Sequence, residues 1–198
     1  MYRKLVTIAM AVLGVAAGLG IGFAAVRQAA NRAVRAGGPP TETATFAGGC
    51  FWGLEGALRQ VTGVTDTAVG YSGGTLPNPA YEDVIARRTD HLEACRVTFD
   101  PARISYEDLV AYFLQIHSPP AAGREVPYLG SPGRLVIFYH DAGQESLAKA
   151  ATEKLSQPEG SRRLPVVEVL PEGQFYRAEE YHQRYLEKHG LASCRVGS

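Results

Sequence analysis

Glu42-Thr43-Ala44-Thr45-Phe46-Ala47-Gly48-Gly49-Cys50-Phe51-Trp52-Gly53-Leu54 holds a strand, a break and a helix start in one short run. Glu42 to Phe46 alternates weakly and is rich in Thr, which reads as a strand. Gly48-Gly49 interrupts it. Phe51 to Gln60 places Leu54 and Leu58 four apart, which reads as a helix. The same alternation continues downstream. Gly63 to Tyr71 reads as a strand closed by Ser72-Gly73-Gly74, and residues 72–80 as a loop. Ala94 to Phe99 puts Cys95, Val97 and Phe99 on one face, Arg96 and Thr98 on the other. Ser105 and Asp108 resemble a capping box ahead of the apolar stripe Leu109, Phe113 and Ile116. Leu135 to Tyr139 is a further strand, residues 141–157 a helix, and Val166 to Leu170 a strand. Ala178 to His189 reads as a last helix with Tyr181 and Tyr185 on one face. Strands alternating with helices predict an α/β sheet with helices packed on it.

The chain of 198 residues has no net charge, with 20 basic and 20 acidic side chains, which argues against a nucleic-acid binder. That zero is an average of unlike parts. Residues 1–37 carry Arg3, Lys4, Arg27, Arg32 and Arg35 and no acid, so the remainder is net −5. Leu5 to Val26 is uncharged, and as a helix it would span about 33 Å, enough for a hydrocarbon core. Gly14, Gly18 and Gly22 recur at spacing four, as in close-packed membrane helices. Residues 1–37 therefore read as a signal-anchor or a signal peptide, 38–41 as a linker, and 42–198 as the folded domain. The expected location is membrane-anchored or exported, on the extracytoplasmic or periplasmic side, with the membrane as a partner.

Cys50 follows a strand and sits where a helix should begin. Helix N-termini carry partial positive charge and unmade N–H donors, which stabilise a nucleophilic thiolate. Flanking glycines allow close approach of a substrate, and Phe51 and Trp52 suit an apolar pocket wall beside sulfur. Cys50 also fits a buried core position, but the glycine frame favours the reactive reading. Cys95 shares its strand face with Val97 and Phe99, a structural setting. Cys194 lies beyond the last expected helix, where a thiol can resolve an oxidised sulfur or simply be a tail residue. Glu93 is a candidate acid, since a carboxyl beside an aromatic pocket can stay protonated. The pattern offers no zinc site and no phosphate loop.

Gly49-Cys50-Phe51-Trp52-Gly53 resembles the signature of the A-type peptide methionine sulfoxide reductases, the MsrA family. Gly70-Tyr71-Ser72-Gly73-Gly74, Asn78-Pro79-Ala80-Tyr81-Glu82-Asp83-Val84 and His91-Leu92-Glu93-Ala94 are similar to family segments in the same order. So are Phe99-Asp100-Pro101, Ile104-Ser105-Tyr106 and Ala178-Glu179-Glu180-Tyr181-His182-Gln183. The likeness covers residues 42–194. It implies an α/β two-layer sandwich on a ferredoxin-like core with a mixed sheet. It also implies reduction of methionine-S-sulfoxide, free or in proteins and peptides. By the same resemblance, Cys50 is the nucleophile and Glu93 the acid for the sulfoxide oxygen. Tyr81 is one of two oxygen-binding tyrosines, Phe51 and Trp52 hold the substrate methyl, and Cys194 is the resolving cysteine that closes a disulfide with Cys50. No resident cofactor is implied; thioredoxin or another dithiol is the reductant.

The segment from 118 to 133 departs from the family pattern. Members usually carry His-Asp-Pro-Thr where this chain has His117-Ser118-Pro119-Pro120. An ungapped count puts Tyr128 in place of an active-site aspartate and Gly133 in place of the second tyrosine. Tyr128 is the candidate to supply the missing phenol. The alternative function is a catalytically impaired member that binds methionine-containing or oxidised partners; a different thiol enzyme or redox sensor is a third.

Overall fold

The computed structural model describes residues 40–117, 134–156 and 166–191. Residues Thr41–Ser198 form a unit distinct from Met1–Pro40. The apolar run Leu5 to Val26 lies outside the described residues. Among those described, no helix is long and apolar enough to cross a membrane.

Six strands form one sheet in the order β5-β4-β1-β3-β2-β6. They are β1 (Glu42–Gly48), β2 (Val64–Ser72), β3 (Leu92–Phe99), β4 (Leu135–Tyr139), β5 (Val167–Pro171) and β6 (Tyr176–Arg177). The helices are α1 (Phe51–Arg59), α2 (Tyr81–Ile85), α3 (Tyr106–His117), α4 (Ala142–Ser156) and α5 (Tyr185–Lys188). The inner four strands, β4-β1-β3-β2, with α1 and α3 as crossovers, make the expected ferredoxin-like core. The sheet is mixed because β5 joins β4 in parallel while every other pairing is antiparallel.

Both faces of the sheet are buried, for different reasons. Phe46, Val69, Cys95, Val97, Phe99 and Ile137 pack with Leu54 and Leu58 of α1 and with Leu109 and Phe113 of α3. Phe46 and Phe113 stack at 4.9 Å. The alternating face read into β3 is thus the main core, and Cys95 is fully buried within it. Burial pushes its thiol well above the ordinary range, which keeps it unreactive. The opposite face is covered by Phe175, packed with Ala47, Ala94, Val136 and Phe138. Arg96 lies 4.1 Å over the Phe175 ring and pairs with Glu172, which also bonds His140. The Ser105–Asp108 capping box forms, with the Asp108 amide donating to Ser105 Oγ at 3.1 Å.

Two differences from the sequence pattern matter for function. Strand β3 begins at Leu92, so Glu93 lies inside it, paired with Tyr71 across β2. The helix expected over 178–189 is replaced by turns, with helix only at Tyr185–Lys188. Arg184 adopts a left-handed φ of 53°, which no continuous helix tolerates. Buried side chains hold the segment in place of helical bonds. Gln183 Oε1 accepts from the Val69 amide at 2.9 Å, and its Nε2 donates to the carbonyls of Val69 and Ala178. The Gln183 amide therefore continues the ladder of β2 where β6 ends, closing an exposed sheet edge. Glu55, buried in α1, accepts from Thr67 Oγ1 and from the Arg184 amide at 2.7 Å.

Gln183→Ala leaves the Val69 amide buried without its acceptor and is expected to cost about 3 kcal/mol of stability. Urea unfolding followed by circular dichroism measures this. A loss below about 0.5 kcal/mol would show that the side chain does not hold the turn segment.

Candidate active site

Strand β1 ends and helix α1 begins within two residues. Gly49 makes the turn at φ 67°, a conformation costly for any residue with a Cβ. Cys50 is the N-cap of α1 and is half-buried. Its carbonyl accepts the first helical bond, from the Leu54 amide at 3.1 Å. The first-turn amides of a helix have no internal acceptor. Here the Phe51 amide donates to Glu93 Oε2 at 3.0 Å, so a carboxyl from β3 caps the helix that carries the thiol. His117 fills the space beside Gly48, where an added Cβ would come within 2.6 Å of its Nε2. Its Nδ1 lies 2.8 Å from the Phe113 carbonyl and its Nε2 3.2 Å from the Gly48 carbonyl, and the neutral ring donates its one N–H to either of them, so the end of α3 lies against the end of β1.

Cys50 and Glu93 open into one cleft of about 710 Å³, with Ile85, Arg87 and Arg134 on its rim. Arg134 is held by a two-pronged bond to Glu168, both contacts at 2.8 Å. Burial pushes the Glu93 carboxyl above its ordinary range, and the Phe51 amide offsets this only in part. One oxygen is committed to that amide, so the other can carry the proton. Burial likewise raises the Tyr81 phenol, and the charges of Glu93 and Cys50 raise it further.

An aromatic cluster backs the thiol. Phe51 is buried and lies nearly parallel to Tyr81, ring centroids 6.4 Å apart. Trp52 stacks on Tyr185 at 3.8 Å and 9°. Its Nε1 donates to His182 Nδ1 at 3.0 Å. Glu179 joins two tyrosines, accepting from the Tyr71 hydroxyl at 2.7 Å and from the Tyr81 amide at 3.2 Å. Burial disfavours its charge, but these donors outweigh burial and its carboxyl sits below the ordinary range.

The fold brings together Cys50, Phe51, Trp52, Tyr81 and Glu93. Tyr128 and Cys194 lie outside the described residues. The sequence reading assigned no role to Tyr71, Glu179 or His182. A helix over 178–189 would set Glu179 and His182 on one face, three residues apart, without showing which distant residues that face meets. Tyr185 meets Trp52 from its own short helix, while Tyr181 remains largely exposed. Among the described residues no cluster of His, Cys, Asp and Glu is arranged to hold a metal.

Residues 42–198 match the family model described as peptide methionine sulfoxide reductase. A protein of that name from Acidobacterium capsulatum is 46% identical over 153 residues, 77% of this chain and 98% of that protein. One from Methanoculleus marisnigri is 47% identical over 155 residues, 78% of this chain and 94% of that protein. Among solved structures, methionine sulfoxide reductase A of Corynebacterium diphtheriae is similar with a TM-score of 0.64 at 32% identity, covering 82% of this chain and 81% of that one. Reduced Mxr1 of Saccharomyces cerevisiae is similar with a TM-score of 0.62 at 30% identity, covering 76% and 86%.

Because the Glu93 carboxyl is raised on folding, the native state holds a proton that the unfolded chain releases at lower pH. Its contribution to stability is full below about pH 4.5 and is lost as pH rises through the elevated native value. Glu93→Gln keeps an acceptor for the Phe51 amide and removes this loss. Its melting temperature relative to the parent is expected to rise between pH 4 and pH 7.5, read by thermal unfolding at matched ionic strength. A pH-independent difference would contradict the burial argument.

Proposed function

The chain belongs to the peptide methionine sulfoxide reductase family, and from that premise we propose how its residues divide the reaction. The enzyme is an oxidoreductase acting on sulfur that reduces methionine sulfoxide to methionine. The observation that carries our reading is the Phe51 amide on Glu93. One bond links the start of the thiol's helix to the half-buried carboxyl, so nucleophile and acid share a frame.

A sulfoxide sulfur is a poor electrophile until its oxygen takes a proton. Glu93 donates that proton, and the Tyr81 hydroxyl adds a hydrogen bond as charge develops. The Cys50 thiolate attacks the protonated sulfoxide at sulfur and forms a Cys50–sulfur bond as the S–O bond breaks and releases hydroxide. The hydroxide then adds to the Cys50 sulfur, the new S–S bond breaks, methionine leaves and Cys50 remains as a sulfenic acid. Cysteine sulfur loses two electrons and the sulfoxide gains them. Cys194 then attacks the sulfenic sulfur, expels water and closes a disulfide. A thioredoxin-like dithiol reduces the disulfide by exchange. Phe51 and Trp52 form the wall for the substrate methyl, with an aromatic–sulfur contact worth roughly 0.3–1.5 kcal/mol. The substrate is the S epimer, in proteins, peptides or the free amino acid.

Incubation with each epimer and a dithiol, with methionine quantified, tests this reading. The parent converts the S epimer, Cys50→Ser converts neither, and Cys194→Ser yields about one methionine per enzyme with thioredoxin as reductant. No product from the S epimer at high enzyme would instead support the binding-only alternative. With glycine at position 133, we also propose that Tyr128 supplies the second hydroxyl. Tyr128→Phe is expected to lower kcat by up to about 10²-fold, the scale of one positioned donor. Unchanged kcat in that variant removes Tyr128 from the mechanism.

A further inference from the structure

We propose that Arg87 is a specificity-determining residue of this enzyme and selects sulfoxides that carry a carboxylate beside the oxidised side chain. This rests on the reductase reading above and names the substrate class that its cleft favours.

The cleft that holds Cys50 and Glu93 is also lined by Arg87, Asp90 and Arg134. At about 710 Å³ it is on the scale of sites that take a whole small ligand, so the groups flanking a methionine sulfoxide side chain enter with it. The arginines they approach are unequally committed. Arg134 is bonded through two nitrogens to Glu168 and also feels the charge of Asp90. Arg88, next to Arg87 in the chain, is bonded through two nitrogens to Asp83, at 3.2 and 2.7 Å. Arg87 is exposed and, among the described residues, its guanidinium has no hydrogen bond and no ion pair. It is therefore the arginine whose donors remain open to a substrate. A guanidinium matches a carboxylate through two parallel N–H bonds.

The backbone fixes where this side chain leaves the chain. Helix α2 ends in a two-bond turn, in which the Arg87 amide donates to the Val84 carbonyl and the Arg88 amide to the Asp83 carbonyl, both at 3.0 Å. In that pattern the residue just past the helix turns left-handed, and Arg87 does so at φ 53°. Glycine is the usual occupant, because a Cβ is crowded in this conformation. An arginine there costs the backbone energy that no side-chain bond among the described residues offsets, a pattern typical of positions held for function. Asp83 anchors the turn, accepting from the Ala80 amide with Oδ2 while Oδ1 holds Arg88. The helix end does not by itself call for a second cation, since α2 is only five residues long and Arg88 already stands there.

Two sources supply the carboxylate. One is an Asp or Glu next to an oxidised methionine in a protein; the other is the α-carboxylate of methionine sulfoxide that is free or C-terminal. Steady-state kcat/KM of the full chain is measured on two matched pairs of S-epimer substrates. The first pair is short peptides with Glu or Gln next to the sulfoxide, and the second is N-acetyl-methionine sulfoxide and its methylamide. The parent is expected to prefer the carboxylate member of at least one pair by about fivefold at low salt, chiefly through KM, the scale of one exposed charge contact. The pair that shows the preference identifies the source. Raising the ionic strength to about 0.5 M should shrink it by screening. Arg87→Gln keeps the left-handed strain and should bring the ratio near one. Arg87→Lys should retain most of the preference, and Arg87→Glu should invert it. A parent with no preference in either pair overturns the proposal, and so does a preference that survives Arg87→Gln. If Arg87→Gln does not fold, Arg87→Gly, which relieves the strain, decides on the same ratio. Absence of turnover in every arm would sink the reductase reading instead. Dye-labelled peptides with methionine in place of the sulfoxide then judge Arg87 by their Kd values: tighter binding of the Glu peptide in the parent but not in Arg87→Gln supports the contact, and equal binding in the parent overturns it.

Discussion

The antiparallel register of β1 against β3 is the constraint on which the site depends. Ala47 stands opposite Ala94, so the end of one strand lies beside the start of the other. The chain leaves β1 through Gly48-Gly49 into Cys50, while Glu93 enters at the neighbouring position of β3. A slip of one residue would turn Glu93 to the opposite face and strip the Phe51 amide of its acceptor. That amide–carboxyl bond then does two things. It satisfies a helix donor that has no internal partner, and it holds one carboxyl oxygen while leaving the other for a proton. Desolvation of the same carboxyl favours its protonated form.

A second set of contacts supplies the aromatic side of the site. Residues 178–184 gain few backbone bonds of their own, and two buried polar side chains, Gln183 and Glu55, with the half-exposed Glu179, substitute for them. Gln183 reaches the backbone of β2, Glu55 reaches the Arg184 amide, and Glu179 reaches Tyr71 and Tyr81. Buried polar groups of this kind are tolerated because each is bonded. They destabilise the fold steeply when one partner is removed. These bonds fix the turns that carry His182 against Trp52.

Much of the fold was legible in one dimension because its signals are periodic. The Cys95–Val97–Phe99 alternation and the Leu109–Phe113–Ile116 stripe record which face is buried, and the structure buries those faces. The Ser105–Asp108 cap is local chemistry three residues apart and formed as read. The segment 178–189 was misread because its apolar spacing fits a helix, while the left-handed turn at Arg184 is fixed by bonds to residues more than a hundred positions away. Cys50 was legible from its glycine frame, whereas Glu93, set between Leu92 and Ala94 in the chain, gained its role through the family resemblance. Tyr71, Glu179 and His182 were not, because each acts through a partner distant in the chain.

The sequence by itself determined the alternation of strands and helices, the glycine turn into Cys50 and the separation of a basic apolar segment from an acidic domain. These follow from local propensity, hydrophobic period and charge, which a linear reading contains. The tertiary structure alone decided that Glu93 caps the helix of Cys50, that desolvation raises its carboxyl above the ordinary range, and that the Trp52 indole donates to His182. Those properties depend on register, burial and the direction of a hydrogen bond between segments that only folding brings together.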